Sequence, residues 1–327
     1  MRKQVDAVWS TLRDQSVLVT GATGFIGRAL TQRLIALGAQ VTLFLRPHHA
    51  SKPLPWSPSG VHWGEIQDGE AVARAVEATR PRFVFHLAAV GATEPWVDED
   101  LALAVNLRGT LHLLRALRRL QASGEDVSRV VLAGTAYEYG ERRGVEGLDP
   151  PNVYAASKVA AWAFARVYHR AYGLPLVVVR PFNTYGPGQR PPALVAAALQ
   201  AALEGRDFPT TPGEQRRDFI YIDDVVEGFL VAATAPEIEG ESLDLGTGIS
   251  TPIGEVVTRI YELVGGPGCP RIGALPPRPG TLWDLRADAR RTTQLTGWQA
   301  RVGLEQGLPK TVEQARIPLD LYTQERR

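Results

Sequence analysis

Short apolar, β-branched runs alternate with longer stretches of helical spacing through the first half of the chain. Val17-Leu18-Val19-Thr20 reads as a buried strand. Glycines follow it, then helical spacing over residues 28–37, closed by Gly38. Further strands are predicted over residues 41–45, at Phe83-Val84-Phe85-His86-Leu87, at Val130-Val131-Leu132 and over residues 176–179. Helices are predicted within residues 101–120 and over about 154–172. The strand runs do not alternate between apolar and polar, so both of their faces should be buried, as in a parallel sheet covered by helices. Strand–helix–strand alternation on this scale predicts an α/β fold with a doubly wound parallel sheet.

After Arg180 the pattern changes. Pro187, Pro191, Pro192, Pro209 and Pro212 divide the chain into shorter pieces, and residues 267–279 form a Pro/Gly-rich loop. The expected organisation is an N-terminal extension (1–15), a dinucleotide-binding domain (16–180) and a smaller C-terminal substrate lobe (181–327). Segments near 220–250 could rejoin the first domain. Residues 101–120 and 155–168 are apolar almost all round. Either burial beneath neighbouring loops or a helical dimer interface accounts for this.

Composition narrows the class. The chain has 327 residues, 44% hydrophobic, enough for a substantial core. Its net charge of +1, with both signs interspersed, argues against nucleic-acid binding. Cys269 is the single cysteine, so no internal disulfide can form, which suits a reducing cytoplasm. The first residues are polar, without the apolar centre of a signal peptide, and the apolar stretch 193–203 is too short to span a bilayer. A soluble cytoplasmic protein without membrane or metal is expected.

Chemistry concentrates at two places. The loop Thr20-Gly21-Ala22-Thr23-Gly24-Phe25-Ile26-Gly27 joins a strand to a helix. Its glycines would allow a tight turn, a close pyrophosphate and close helix packing, and the helix N-terminus would offer free N–H groups. The next strand ends Leu43-Phe44-Leu45-Arg46. An acidic residue there would select NAD, whereas a guanidinium can pair with a 2′-phosphate, so Arg46 favours NADP over NAD. The second place is Tyr154-Ala155-Ala156-Ser157-Lys158, with Tyr and Lys one helical turn apart on one face. An ammonium and a cationic nicotinamide would favour the phenolate, letting Tyr154 trade protons near neutral pH. Thr135, just after a strand, could bond the same substrate oxygen.

Taken together, these motifs resemble the extended short-chain dehydrogenase/reductase family of nucleotide-sugar epimerases, dehydratases and reductases. They are joined by Phe85-His86-Leu87-Ala88-Ala89, Asn106 before Gly109-Thr110, Tyr139-Gly140, Arg180-Pro181-Phe182-Asn183, residues 217–224 and Arg278-Pro279-Gly280. The resemblance runs over residues 16–308 and implies a Rossmann-like fold. It implies Thr135, Tyr154 and Lys158 as the catalytic set. The cofactor would be bound by Gly21, Thr23, Gly24, Phe25, Ile26, Gly27, Arg46, Glu65, Ile66, Leu87, Ala88, Ala89, Asn106 and Pro181, together with Tyr154 and Lys158. Thr135, Asn183, Arg217 and Arg278 would hold a nucleotide-diphosphate sugar, the alternative for Arg217 being a salt bridge with Asp218 or Asp223. Asp223 and Asp224 would organise a turn, and His86 would pack beneath the nicotinamide. A homodimer is implied.

Departures from the family pattern sharpen the expected reaction. Where related 4,6-dehydratases place Asp-Glu after the threonine, this chain has Ala136-Tyr137; Glu138 is one residue out of register and, on a strand, would face elsewhere. Dehydration is therefore not expected. The leading expectation is NADPH reduction of a 4-keto-6-deoxysugar at C4, with Tyr154 as proton donor. The alternative is a C4 epimerase with tightly bound NAD. A dinucleotide-binding sensor or scaffold without turnover is the remaining reading.

Overall fold

A computed structural model describes residues 10–316 apart from 52, 95, 142–146 and 278–280. The chain first lays down β1 (Ser16–Thr20), β2 (Gln40–Leu45), β3 (Gly60–Trp63), β4 (Phe83–His86), β5 (Arg129–Ala133) and β6 (Leu176–Pro181). It continues through β7 (Asn183–Tyr185), β8 (Phe208–Pro209) and β9 (Arg216–Tyr221) before β10 (Ser242–Leu245). Seven strands pair in parallel in the order β3-β2-β1-β4-β5-β6-β10. The expected α/β doubly wound parallel sheet is thus borne out. The chain reverses its direction of travel across the sheet between β1 and β4, the point at which such sheets bind ligands beyond their strand ends.

Alternate residues of each strand enter different cores. Val17, Val19, Val41, Leu43, Val131, Val177 and Val179 pack on one face, and Leu18, Val84, Val130, Leu132, Leu176 and Val178 on the other. Burial on both sides explains the unbroken apolar runs in the sequence. The first face is covered by α1 (Phe25–Ala36). The second is covered by α2 (Gly69–Thr79), α3 (Gly109–Ala122) and α4 (Val153–Tyr172). The Asp68 side chain caps α2 and that of Asn152 caps α4, each accepting backbone N–H groups of the first turn. Gly173, at φ +67°, ends α4.

Four sequence expectations are refined. The helix expected within 101–120 is three pieces: an α turn at Glu99–Ala102, a π-helical segment at Leu103–Arg108, and α3. β3 and α2 lie in a stretch with no sequence prediction. The loop 267–279 contains β12 (Pro270–Arg271), which pairs with β8, and this pairing follows β11 (Ser250–Pro252) in the chain. Finally, residues 243–245 pair with β6 as part of the large sheet.

After α5 (Leu194–Leu203), a second, smaller sheet is built on β9, which pairs with β7, β11 and β13 (Asp284–Leu285). α6 (Ile222–Thr234) follows β9 directly and lies against α1, β5 and β6. Two carboxylates pin these parts together. Asp218, fully buried, accepts N–H bonds from Thr247 (2.8 Å), Gly248 (2.8 Å) and Ala287 (3.2 Å), and the Thr247 hydroxyl (2.7 Å). Asp224 accepts the N–H groups of Arg301 and Val302 at 3.0 and 2.8 Å, so it ties α6 to a segment far along the chain instead of organising the turn before α6. No described helix is long and apolar enough to cross a membrane.

Candidate functional site

The glycine loop lies at the reversal point, against β4. Gly21 has φ +75°, and a Cβ there would stand 2.5 Å from the Leu87 carbonyl carbon. A Cβ on Gly27 would stand 2.1 Å from the Gly21 carbonyl oxygen. Close packing of loop on strand and of helix on loop therefore excludes side chains at both positions. Gly24 precedes α1 without a side-chain cap, and the first turn of α1 carries no acidic residue, so its N–H groups remain available to an anion. Thr23 is exposed, its hydroxyl 3.3 Å from His49 Nε2, while Phe25 and Ile26 pack against the first core. This cradle fits a dinucleotide pyrophosphate.

The remaining cofactor candidates border the same strand ends. Arg46 is exposed and leads into the short turn Pro47–His49. Glu65 and Ile66 follow β3, with the Ile66 side chain buried against Gly109. Leu87, Ala88 and Ala89 follow β4, and Pro181 ends β6. Asn106 is fully buried in the π-helical segment. Its amide accepts from Val90 N (2.9 Å) and donates to Val90 O (3.0 Å) and the Ser157 hydroxyl (2.9 Å). Ser157 in turn donates to Tyr154 O (2.7 Å), so Asn106 braces the β4 loop against α4.

His86 continues that brace toward the glycine loop. Its Nδ1 lies 2.7 Å from the Thr20 hydroxyl and its Nε2 3.0 Å from that of Thr110. Thr110 spends its one proton on Asn106 O (2.6 Å), so it must accept from Nε2–H. Nδ1 is then bare and accepts from Thr20, which itself accepts from Ala88 N (3.2 Å). Burial, with a smaller contribution from the charge of Lys158, holds His86 down at about 3, so the ring is neutral. It is a packed spacer between Thr20 and Thr110. Between pH about 6.5 and about 3 the unfolded chain binds a proton here that the folded chain refuses. Stability should therefore fall with acidity across that window, by up to ~1.4 kcal/mol per pH unit from this group. A His86→Gln variant should lose this one-proton slope in denaturation curves at graded pH; an unchanged slope would assign it to other groups.

Thr135, Tyr154 and Lys158 converge at the ends of β5 and α4, all three buried. Tyr154 and Lys158 belong to the buried stripe of α4, with Ser157, Ala161, Trp162 and Ala165. Burial pushes the Tyr154 phenol above its ordinary value; a hydrogen bond with Thr135 pulls it down, and the charges of Glu138 and Tyr137 push it up again. Burial brings Lys158 down to about 8, against the opposing pull of Glu138. Within the chain itself, then, desolvation dominates at Tyr154, and the ammonium's help that the spacing suggested is not among the influences on it. Spacing reveals neighbours and is silent on depth.

Glu138 corrects the sequence reading. It lies on a 3-10 turn (Ala136–Tyr139) rather than a strand, and it is 0% exposed. Its Oε1 accepts the Thr135 N–H at 2.9 Å and its Oε2 the Arg180 Nε–H at 2.7 Å. Arg180 donates to the Tyr139 hydroxyl (3.1 Å), which donates to Asp244 (2.6 Å). Thr-x-x-Glu is the capping-box pattern, the signal that would have found it.

Asn183 opens β7, opposite Phe219 of β9. Arg217 donates to the backbone carbonyls of Arg216 and Leu282, both at 2.8 Å, and makes no ion pair with Asp218 or Asp223. Arg278 lies outside the described residues. A cleft of about 760 Å³, lined among others by Glu141, Thr247, Arg286 and Arg290, lies beside β13 and holds none of Thr135, Tyr154 and Lys158. The side chains, not that cleft, locate the chemistry.

Comparison with known proteins decides the family. The model of the NAD-dependent epimerase/dehydratase family matches residues 17–246. The chain belongs to this family. The resemblance to the extended short-chain dehydrogenases/reductases is thereby borne out. A UDP-glucose 4-epimerase of Mycolicibacterium smegmatis is 34% identical, over 90% of this chain and 97% of the relative. A probable dTDP-glucose 4,6-dehydratase of Sinorhizobium fredii is 30% identical, over 91% of each. The solved Thermus thermophilus UDP-glucose 4-epimerase, in complex with NAD, superposes with a TM-score of 0.81 at 31% identity, over 92% of this chain and 98% of that one. The chain is therefore an NAD(P)-dependent enzyme of the nucleotide-sugar epimerase/dehydratase family.

Proposed function

We propose that this chain is a nucleotide-sugar C4 epimerase that retains NAD. The observation that carries the reading is the buried set Thr135, Tyr154 and Lys158 with Glu138 held in its ion pair with Arg180. Three groups suffice to move one proton on and off a C4 hydroxyl. Elimination of water needs a further acid and base, and the carboxylate next to the threonine turn is already spent. The two similar 4-epimerases, one solved with NAD, support this choice over reduction.

NAD, when bound, supplies a reversible hydride acceptor. Everything else falls to the chain. Thr135 orients the C4 oxygen and Tyr154 takes and returns its proton. Lys158 keeps a positive charge one turn away. Gly21, Gly24 and the start of α1 receive the pyrophosphate. Asn183 and Arg217 face the sugar nucleotide, with guanidinium donors suited to its phosphates. The exposed Leu101 on the α turn Glu99–Ala102, and Phe164 and Val167 on α4, support a homodimer through this side.

NADPH-dependent ketoreduction is the second reading. It is favoured by Leu45 in the usual acidic position and by exposed Arg46 followed by His48 and His49. Denaturing the purified protein separates the two. The expected result is NAD released at about one per chain, and conversion of UDP-glucose to its C4 epimer without added cofactor. Release of no nucleotide, with NADPH consumed on a 4-ketosugar, would overturn the epimerase reading.

A further inference from the structure

The peptide group between Leu282 and Trp283 sits between two opposite charges. Its carbonyl accepts from Arg217 Nη1 at 2.8 Å, and its N–H donates to the Glu141 carboxylate at 2.7 Å, across 142 positions of sequence. The next carbonyl, Trp283 O, accepts the Arg216 N–H at 2.7 Å. Residues 282–283 are therefore held on one side by β9 and on the other by Glu141. Glu141 itself stands on a firm base. It directly follows the turn that Thr135 opens and Gly140 closes at φ +63°. Asp149 N donates to Glu138 O at 3.0 Å, and a Cβ on Gly140 would collide with Asp149 O, so the exit of that turn is pinned.

We propose that Glu141 is a positioning residue: through this one peptide group it fixes the Arg217 guanidinium relative to the turn that carries Thr135, keeping a diphosphate on Arg217 and a C4 oxygen at Thr135 in register. The inference rests on Arg217 receiving the diphosphate of a nucleotide sugar. A guanidinium at the carbonyl and a carboxylate at the N–H polarise the peptide in the same sense, so each bond strengthens the other. The 2.7 Å length of the Glu141 bond is that of a charge-assisted one. Arg217 spends Nη1 on the carbonyls of Arg216 and Leu282, while its Nε and Nη2 make no bond among the described residues. Holding Nη1 thus sets the direction in which the rest of the fork can meet an anion. The register matters because the two ends of the substrate would lie on different sheets: Arg217 is on β9 of the smaller one, and Thr135 follows β5 of the large one. Asp218 ties these sheets at Thr247 and Gly248, after β10. Glu141 adds a second tie beside the threonine, and two separated ties remove the pivot that one would leave. Misplacement by about 1 Å can cost a reaction roughly 10²-fold.

Hydrogen exchange read by mass spectrometry, with UDP as the probe and no turnover, tests the tie. In the unaltered protein UDP should slow exchange in residues 281–285 and, together with them, in residues 134–141, each by about threefold or more. Glu141→Ala removes a partly exposed side chain, and in it UDP should protect 281–285 alone. In Glu141→Gln, whose amide oxygen still accepts the N–H, both segments should respond. Circular dichroism monitors the fold. Should Glu141→Ala not fold, Glu141→Asp keeps the charge, falls short by one methylene and should uncouple the segments as well. With UDP-glucose, Glu141→Ala should lower kcat by about tenfold with little change in KM, and Glu141→Gln should recover most of it. Joint protection of both segments in Glu141→Ala would overturn the proposal, as would its absence from the unaltered protein when UDP binds. No binding of UDP to the unaltered protein would instead overturn the nucleotide-sugar reading, and the proposal with it, so the two failures are told apart.

Discussion

Turnover of Tyr154→Phe is expected to fall by roughly 10²–10⁴-fold, the usual contribution of a positioned proton-transfer group. The change removes one oxygen from a side chain that is 7% exposed and sits in the packed stripe of α4. The ring still fills its space, so the fold and the dinucleotide cradle, which lies at the start of α1, should be unaffected. The loss should therefore fall on kcat, with the amount of nucleotide released on denaturation equal to that of the unaltered protein. Steady-state kinetics beside that stoichiometry would check it. Retained turnover would remove Tyr154 from the reaction, whichever nicotinamide is used.

Gly27→Ala should have the other large effect, and by a different route. The new methyl carbon would stand 2.1 Å from Gly21 O and 2.9 Å from Gly21 C, both backbone atoms of a turn that is itself pressed against Leu87. Neither side can yield without moving α1 off the sheet or opening the loop. A stability loss of roughly 3 kcal/mol is expected, at the upper end for overpacking, together with at least a tenfold loss of bound nucleotide. Gly24→Ala is the contrast. Its added carbon would meet only Gly21 O, at 3.3 Å, and its φ of −72° suits alanine. Thermal melting with nucleotide content should separate the two variants clearly. Similar behaviour of both would mean the loop is softer than its contacts indicate.

Much of the fold was legible because the sheet's interior strands carry apolar residues on both faces. Val17 to Val19 and Val130 to Leu132 announce themselves without any partner in view. β3 was not legible: Gly60-Val61-His62-Trp63 is an edge strand paired only with β2, and edge strands need not be apolar throughout. The π-helical segment at Leu103–Arg108 also escaped, since the wider turn shifts the register by one residue and a helical period absorbs so small a change. At the site, the order glycine loop, threonine, Tyr154 and Lys158 could be read directly. The role of Glu138 could not, because assigning it to a strand reversed its direction, whereas a 3-10 turn brings it inward. Arg217 shows a third kind of limit. Its backbone partner Leu282 lies far along the chain, and no local pattern connects them.

The four bonds gathered by Asp218 have a mechanical consequence. One side chain from the central strand of the smaller sheet grips the segment leaving the large sheet's last strand and the segment entering the C-terminal helices. The two sheets are thus tied at residue 218, and parting them there would break the three bonds to Thr247 and Gly248, while the fourth, to Ala287, stays beside β13 within the smaller sheet. Opening the molecule at this edge therefore costs those bonds, whereas a shift of the loops that border it does not.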